Sequence, residues 1–208
     1  MNRFFKISAL ILAYLLFSAK SCDNHNGEKT GITASIDSIR KEFQADNIRE
    51  ESLGAFETNA RQKLSDFSDY LQLFMSPSID SLFRDKTRDM IRDIFISDSV
   101  SLRFLQNQGT KDQELTLAQL LKNGLRNESM HSGFIFDSVK VYRPFTRISD
   151  TVYSGSLDFS QKLIRFSLQD TAVIRSEIKT ADVFIVKRDK IFGKDTLRIW
   201  KVLLGNIK

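Results

Sequence analysis

The chain has little of several things. Its 208 residues include one cysteine, two prolines, two histidines and nine glycines. One cysteine excludes a disulfide framework and the zinc and iron–sulfur sites built from several thiolates. With His25 and His131 as the only imidazoles, a histidine-rich metal centre is excluded too. The scarcity of proline and glycine, with 41% hydrophobic and 27% charged residues, excludes collagen-like and largely disordered chains. There is no Gly-rich Lys-Ser/Thr phosphate loop and no strand-associated dinucleotide fingerprint. The one extended apolar run, residues 7–17, is shorter than the ~20 residues of a membrane-spanning helix.

What is present begins with an address. Arg3 and Lys6 precede the apolar run, and small residues follow it, which is the pattern of a secretory signal peptide over residues 1–21. Loss of Arg3, Lys6 and Lys20 with that segment takes the formal charge from +5 to +2. The apparent basic surplus therefore makes no case for nucleic acid, and no nucleic-acid partner is expected. Ala19 and Ser21 before Cys22 resemble the lipobox of bacterial lipoproteins; Lys20 departs from the usual pattern, in the manner of the looser lipoboxes familiar among Bacteroidota. The resemblance implies that Cys22 is acylated, palmitate included, and becomes the new N-terminus. It also implies that the membrane is a partner through this lipid and that the protein resides in the cell envelope, on a periplasmic or outer-membrane face. Residues 22–34 are polar and without apolar periodicity, a flexible tether that cannot bury enough surface to fold.

From residue 35 the pattern is that of a single domain running to residue 208. Ile36, Ile39 and Phe43 mark a short additional helix within 35–50. Phe56, Ala60, Leu64, Phe67, Leu71 and Phe74 then form a stripe at helical spacing, stopped by Pro77. Ser78 is placed to cap a second helix with the stripe Ile79, Leu82, Phe83, Met90, Ile91, Ile94 and Phe95. Alternation over 100–104 predicts a strand, Asn107-Gln108-Gly109 a turn, and Leu117, Leu120 and Leu121 a short helix between Thr116 and Gly124. Beyond Phe134, β-branched and aromatic residues predict strands near 134–143, 148–159, 161–168, 175–187 and 195–204, with turns at Pro144 and at 190–194.

Helices followed by strands is the order of an α+β domain, with helices on one face of a curved antiparallel sheet. The 56–74 stripe, the 100–104 strand, the 117–121 helix and the 181–204 hairpin together resemble the nuclear-transport-factor-2-like, cystatin-related family. This resemblance covers residues 50–205 and implies a cone-like domain enclosing a cavity. Phe67, Tyr70, Phe74, Phe104 and Trp200 are its expected walls, either as pocket or as core.

Catalytic constellations are not legible. A Ser–His–acid triad would depend on His131, which sits in the polar connection Ser129-Met130-His131-Ser132-Gly133 and reads as a solvated loop residue. Asp66, Asp69, Asp98 and Asp158 are available carboxylates, but nothing pairs any two of them. No catalytic residue, metal ligand or cofactor is expected. Lys187, Arg188, Lys190, Lys194, Arg198 and Lys201 make the last hairpin basic, as a charged strand edge or as a contact for anionic partners. Within that hairpin, Phe184, Val186, Trp200, Val202 and Leu204 are expected to face the helices. Val183, Ile185, Leu197 and Ile199 would then form an apolar patch rimmed by Lys187 and Lys201, a candidate interface for a protein partner or a second copy. The expected function is a non-enzymatic envelope lipoprotein acting as an interaction or assembly module; the family resemblance implies a secretion or conjugation-type envelope machine as a special case, since cone domains of that family occur as assembly subunits there. The alternative is a small-molecule-binding or hydrolytic protein that uses the cavity of the cone.

Overall fold

The structure is a computed structural model that describes residues 47–106, 111–125, 132–166, 171–192 and 195–208. The chain divides into two units, Met1–Ala45 and Asp46–Lys208. The signal peptide, Cys22, the tether and the helix expected at residues 36–43 lie outside the described residues, as do the 107–109 turn, His131 and Gly193.

Helix α1 (Glu50–Met75) follows the predicted stripe: Phe56, Ala60, Leu64, Phe67, Leu71 and Phe74 are all buried. Its start has no side-chain cap, and Glu50 and Glu51 instead set negative charge against the positive end of the helix dipole. Helix α2 (Ser81–Ile94) is capped by Asp80, whose carboxylate accepts from the Phe83 N–H at 2.8 Å. Ser78, the expected cap, is engaged with the Ser76 hydroxyl instead. The helix therefore starts later than predicted, and its buried residues are Thr87, Ile91 and Ile94. Leu82 and Phe83 are 80% and 51% exposed, so the predicted stripe fails in the first turn, which reaches past the core. Strand β1 (Ser101–Phe104) pairs with β2 (Gln113–Thr116), a strand that four residues of mixed polarity did not announce. Helix α3 (Leu117–Asn123) opens with a reciprocal Thr116–Gln119 capping box. It ends at Gly124, whose φ of 67° is a conformation that glycine adopts without steric cost.

The rest is a meander of long strands: β3 (Ser132–Ser149), β4 (Val152–Phe166), β5 (Thr171–Phe192) and β6 (Asp195–Ile207). The sheet order is β2-β1-β6-β5-β4-β3. All neighbours are antiparallel except β1 and β6, so the sheet is mixed rather than purely antiparallel as expected. Two further expectations need correction. The predicted 148–159 and 161–168 strands are one strand, β4, and the turn before it is Asp150-Thr151 rather than Pro144. Pro144 sits inside β3 at a register shift; β3 is an edge strand, where a missing N–H disturbs no ladder. Register shifts in β3, β4 and β5, with Ser138 at φ 55°, help curve the sheet around the helices.

The edge at β3 is partly covered by the long helix. Gln72 Nε2 donates to the Phe134 carbonyl at 3.0 Å, and the Ser68 hydroxyl accepts from the Phe136 N–H at 3.2 Å. These contacts use backbone groups that would otherwise be free to pair with another chain.

The register of the last hairpin decides which face each residue occupies. Val183 lies opposite Leu204, Ile185 opposite Val202 and Lys187 opposite Trp200. Odd positions of β5 thus share a face with even positions of β6. Val183 and Ile185 are wholly buried in the core beside Trp200, Val202 and Leu204. Phe184 and Val186 take the opposite face with Leu197 and Ile199, and all four are half-buried. The grouping expected from sequence mixed the two faces, because antiparallel pairing across this hairpin joins odd to even. Replacing Trp200 by Ala is expected to cost about 3–5 kcal/mol in urea unfolding. Ile185→Glu should be at least as damaging, since it buries a carboxylate among apolar side chains. An Ile185→Glu chain with the wild-type midpoint would contradict this packing.

Candidate functional site

The side of the sheet that faces the helices is filled with rings. Phe67, from the middle of α1, meets Phe95 edge-on at 4.8 Å and lies 5.7 Å from Phe136 and 6.5 Å from Phe104. Phe104 continues to Phe134 at 5.3 Å, and Phe136 to Phe159 at 4.9 Å. Edge-on and tilted contacts of this kind are the favoured geometries for aromatic pairs. Of the residues expected as walls, Phe67 and Phe104 are therefore wholly buried core. Trp200 pairs with Tyr153 at 5.5 Å in a different part of the core, with Lys187 Nζ 5.5 Å from its ring centroid. Tyr70 is half-buried at the core margin, and Phe74 lies at the end of α1, where the Arg88 guanidinium sits 5.9 Å from its ring centroid. The five do not enclose one space.

The four carboxylates considered from sequence are likewise separate. Asp66 accepts from Gln62, Asp98 from Arg92 and Asp158 from the Thr180 hydroxyl, while Asp69 borders a cavity described below. Among the described residues no group of three His, Cys, Asp or Glu side chains is placed to hold a metal ion.

Sequence reasoning missed a charged cluster on the inner face of β5. Arg175, Glu177 and Lys179 alternate along the strand, and that period of two was its available signal. Lys179, only 6% exposed, reaches Asp112 at 2.5 Å and Glu177 at 3.4 Å. Arg175 Nη1 is 3.0 Å from Asp112 Oδ1 without hydrogen-bond alignment, and also donates to the Gln106 carbonyl at 3.2 Å. The hydrogen bond from Arg175 to Glu177 raises the Arg175 pKa above its ordinary value against the opposing effect of desolvation. Beside the cluster, Gln161 accepts from the Leu105 N–H and donates to the Arg103 carbonyl. These contacts fasten the chain around β1 and β2 to β4 and β5; they are a clip rather than a reactive centre.

Two neighbouring cavities open where α1 ends. One, of about 490 Å³, lies between the last turn of α1, the flank of α2 and the C-terminal end of α3. Arg84, Arg88 and Lys122 border it, with Phe74, Met75 and Leu121 as apolar wall. Arg84 Nη2 donates to the carbonyls of Ser76 at 3.1 Å and Ile79 at 3.2 Å, and its Nε is buried without a partner. Arg88 donates through Nε to the Leu121 carbonyl at 3.2 Å and through Nη1 to Asp85 at 2.5 Å. The second cavity, of about 650 Å³, shares Met75, Pro77 and Ser132 with the first and extends past Gln72 and Leu73 to Phe166.

The basic hairpin extends beyond the neighbouring strands. The pairing of β4 with β5 ends at Val186, whereas β5 and β6 stay paired to Phe192 and Asp195. From Arg188 and Ile199 outward this is a two-stranded ribbon whose outer strand edges are unpaired among the described residues. It carries Arg188, Lys190 and Arg198, with Ile191 75% exposed and Arg198 paired to Asp189 at 3.1 Å. Near the ribbon's base, burial lowers the Lys201 pKa; Asp93 opposes this, and Lys63, Arg188 and Lys190 reinforce it.

No family model matches the chain, and no curated protein matches it. Among solved structures, the chain is similar to a candidate scytalone dehydratase from Novosphingobium aromaticivorans DSM 12444. The identity is 7% and the TM-score 0.34, over 76% of this chain and 85% of the other.

Two outcomes follow from the charges. Asp112→Asn should destabilise the chain by about 3–5 kcal/mol, because it leaves the buried Lys179 with only its longer contact to Glu177; Asp112→Leu with Lys179→Met should recover most of that loss in urea melts. For Lys201, the folded pKa lies below the unfolded one, so the unfolded chain binds more protons between the two values and stability rises with pH there. Lys201→Met should therefore stabilise at neutral pH, with the advantage shrinking as pH approaches 10.5.

Proposed function

We propose that this chain is a non-enzymatic lipoprotein of the cell envelope whose nuclear-transport-factor-2-like domain works as an interaction or assembly module. The observation that carries this reading is the ring packing around Phe67. The space that a cone-shaped domain offers a ligand is occupied by Phe95, Phe104, Phe134, Phe136 and Phe159. A domain that fills its own interior is suited to recognition at its surface, and the ribbon from Arg188 to Arg198 offers exposed cations beside the exposed Ile191. A protein partner or a second copy is the occupant this reading calls for, with an envelope-spanning secretion or conjugation machine as the special case. Acylation at Cys22 would hold the domain near the membrane, with residues 22–34 as spacer; stable anchoring takes two or more acyl chains.

The reading is tested in two steps. Cys22→Ser should abolish labelling by a fatty-acid probe and move the protein from the membrane to the soluble or uncleaved fraction; unchanged labelling would remove the anchor. Arg188→Glu with Lys190→Glu should keep the wild-type circular dichroism spectrum. The same change should abolish self-association in light scattering, or loss-free recovery of one defined partner from detergent-solubilised envelopes. A hydrolytic activity reduced a thousandfold by His131→Ala would replace the non-enzymatic reading with the pocket alternative.

A further inference from the structure

We infer that the cavity between α1, α2 and α3 is a binding site for a small organic anion, one with a carboxylate or phosphate head and a short apolar tail. The inference is independent of the interaction-module reading, since it concerns the outer end of α1 and not the filled interior or the ribbon.

The charge balance of the cavity is the first argument. Arg84, Arg88 and Lys122 border it, and no carboxylate is among its described lining residues. Part of this charge has a structural use. Arg84 caps the carbonyls of Ser76 and Ile79 just beyond α1, and Arg88 caps the Leu121 carbonyl near the end of α3. A helix terminus, however, presents only about half an elementary charge, so each guanidinium exceeds what it caps. Arg88 is further balanced by Asp85. Arg84 has no ion pair among the described residues; its recorded partners are the two neutral carbonyls.

The second argument is orientation. The two carbonyls occupy Arg84 Nη2, and Nε is sealed away from the cavity, so Nη1 is the nitrogen left for a ligand. The guanidinium can offer a carboxylate or phosphate a charge-assisted hydrogen bond there. Its orientation is already fixed by the two carbonyls. Arg88 is held just as firmly, by Leu121, Asp85 and the face of Phe74. Two preoriented guanidinium groups bordering one cavity form an anion cradle that needs little reordering on binding.

Size and wall chemistry set the class of ligand. About 490 Å³ falls in the ~300–1,000 Å³ range of small-molecule sites and exceeds what a bare inorganic ion fills. Phe74 and Leu121 are almost wholly buried, and with Met75 they offer an apolar wall beside the cations. The match is an amphipathic anion rather than a sugar, a nucleobase or a metal.

The test uses the purified full-length protein and isothermal titration with octanoate, octyl phosphate, inorganic phosphate and uncharged octyl glucoside. At least one of the two octyl anions should bind saturably at one site, at least tenfold tighter than inorganic phosphate, with no saturable binding of octyl glucoside. Arg84→Gln should weaken the octyl anion at least tenfold. Because Arg84 also caps the chain after α1, the exposed Lys122→Glu serves as a second variant; it should keep the wild-type melting profile and weaken binding at least threefold. Vesicles containing phosphatidylglycerol distinguish the source of the head group: Arg84-dependent vesicle binding assigns it to a lipid, and octyl-anion binding without it assigns it to a soluble metabolite. Absence of saturable octyl-anion binding would overturn the inference. Equal binding of octyl glucoside, or unchanged anion affinity in folded Arg84→Gln and Lys122→Glu, would do the same.

Discussion

Phe67 sets the terms for much of this molecule. It projects from the middle of a 26-residue helix and has neighbouring rings from the segment after α2, from β1 and from β3. For α1 to lie against the sheet, those rings must interdigitate around it at the density of a protein interior, which leaves voids of little more than a methyl group. The curvature of the sheet, the position of β1 beside β6 and the burial of Phe95 after α2 all serve that packing. The volume between helix and sheet is thereby spent on cohesion, and the described cavities lie near the helix ends, where ring packing stops.

Helix ends are also where backbone polarity is least satisfied, and the two arginines of α2 illustrate how that polarity is managed. Each donates to a carbonyl at or just beyond the end of a neighbouring helix, and each keeps part of its charge outside that bond. A comparable division holds on the inner face of β5. There Asp112 and Glu177 accompany Lys179 and Arg175 in a half-apolar setting. Both arrangements exact a desolvation cost, which ion pairing offsets at β5 and for Arg88. Their contribution is the position they impose on the connected segments more than net stability.

The main helix was legible because its stripe of Phe and Leu is long and unbroken, and the short helix because Thr116, Gln119 and Gly124 mark both its ends chemically. Strand β2 was not, since four residues with one buried leucine carry no period. Pro144 misled because a proline signals a turn only where the chain lacks an edge position to hold it. Ser154, Ser156 and Ser160 broke the apolar pattern of β4 without breaking the strand; they are buried small hydroxyls on a strand paired on both sides. The face of the last hairpin depended on which residue of β5 meets which residue of β6, information held in the connection between them rather than in either run. The anion cavity was invisible for a similar reason. Arg84 and Arg88 are one helical turn apart and look like ordinary solvated charges until Ser76 and Leu121 are brought against them by the fold.

The parallel pairing of β1 with β6 has a consequence for how the molecule is made. The β1–β2 hairpin and the β3–β5 meander cannot join until β6, which follows both in the chain, has arrived between them. Leu102 meets Ile207 across this junction, so the ordering entropy of almost the whole domain must be met before the joining contacts form. A chain still being synthesised would hold two incomplete sheets, each with an exposed inner edge where β6 belongs. Such a sequence of events delays closure until synthesis has passed β6, and it makes the late strand, rather than the long first helix, the element whose loss would split the sheet in two.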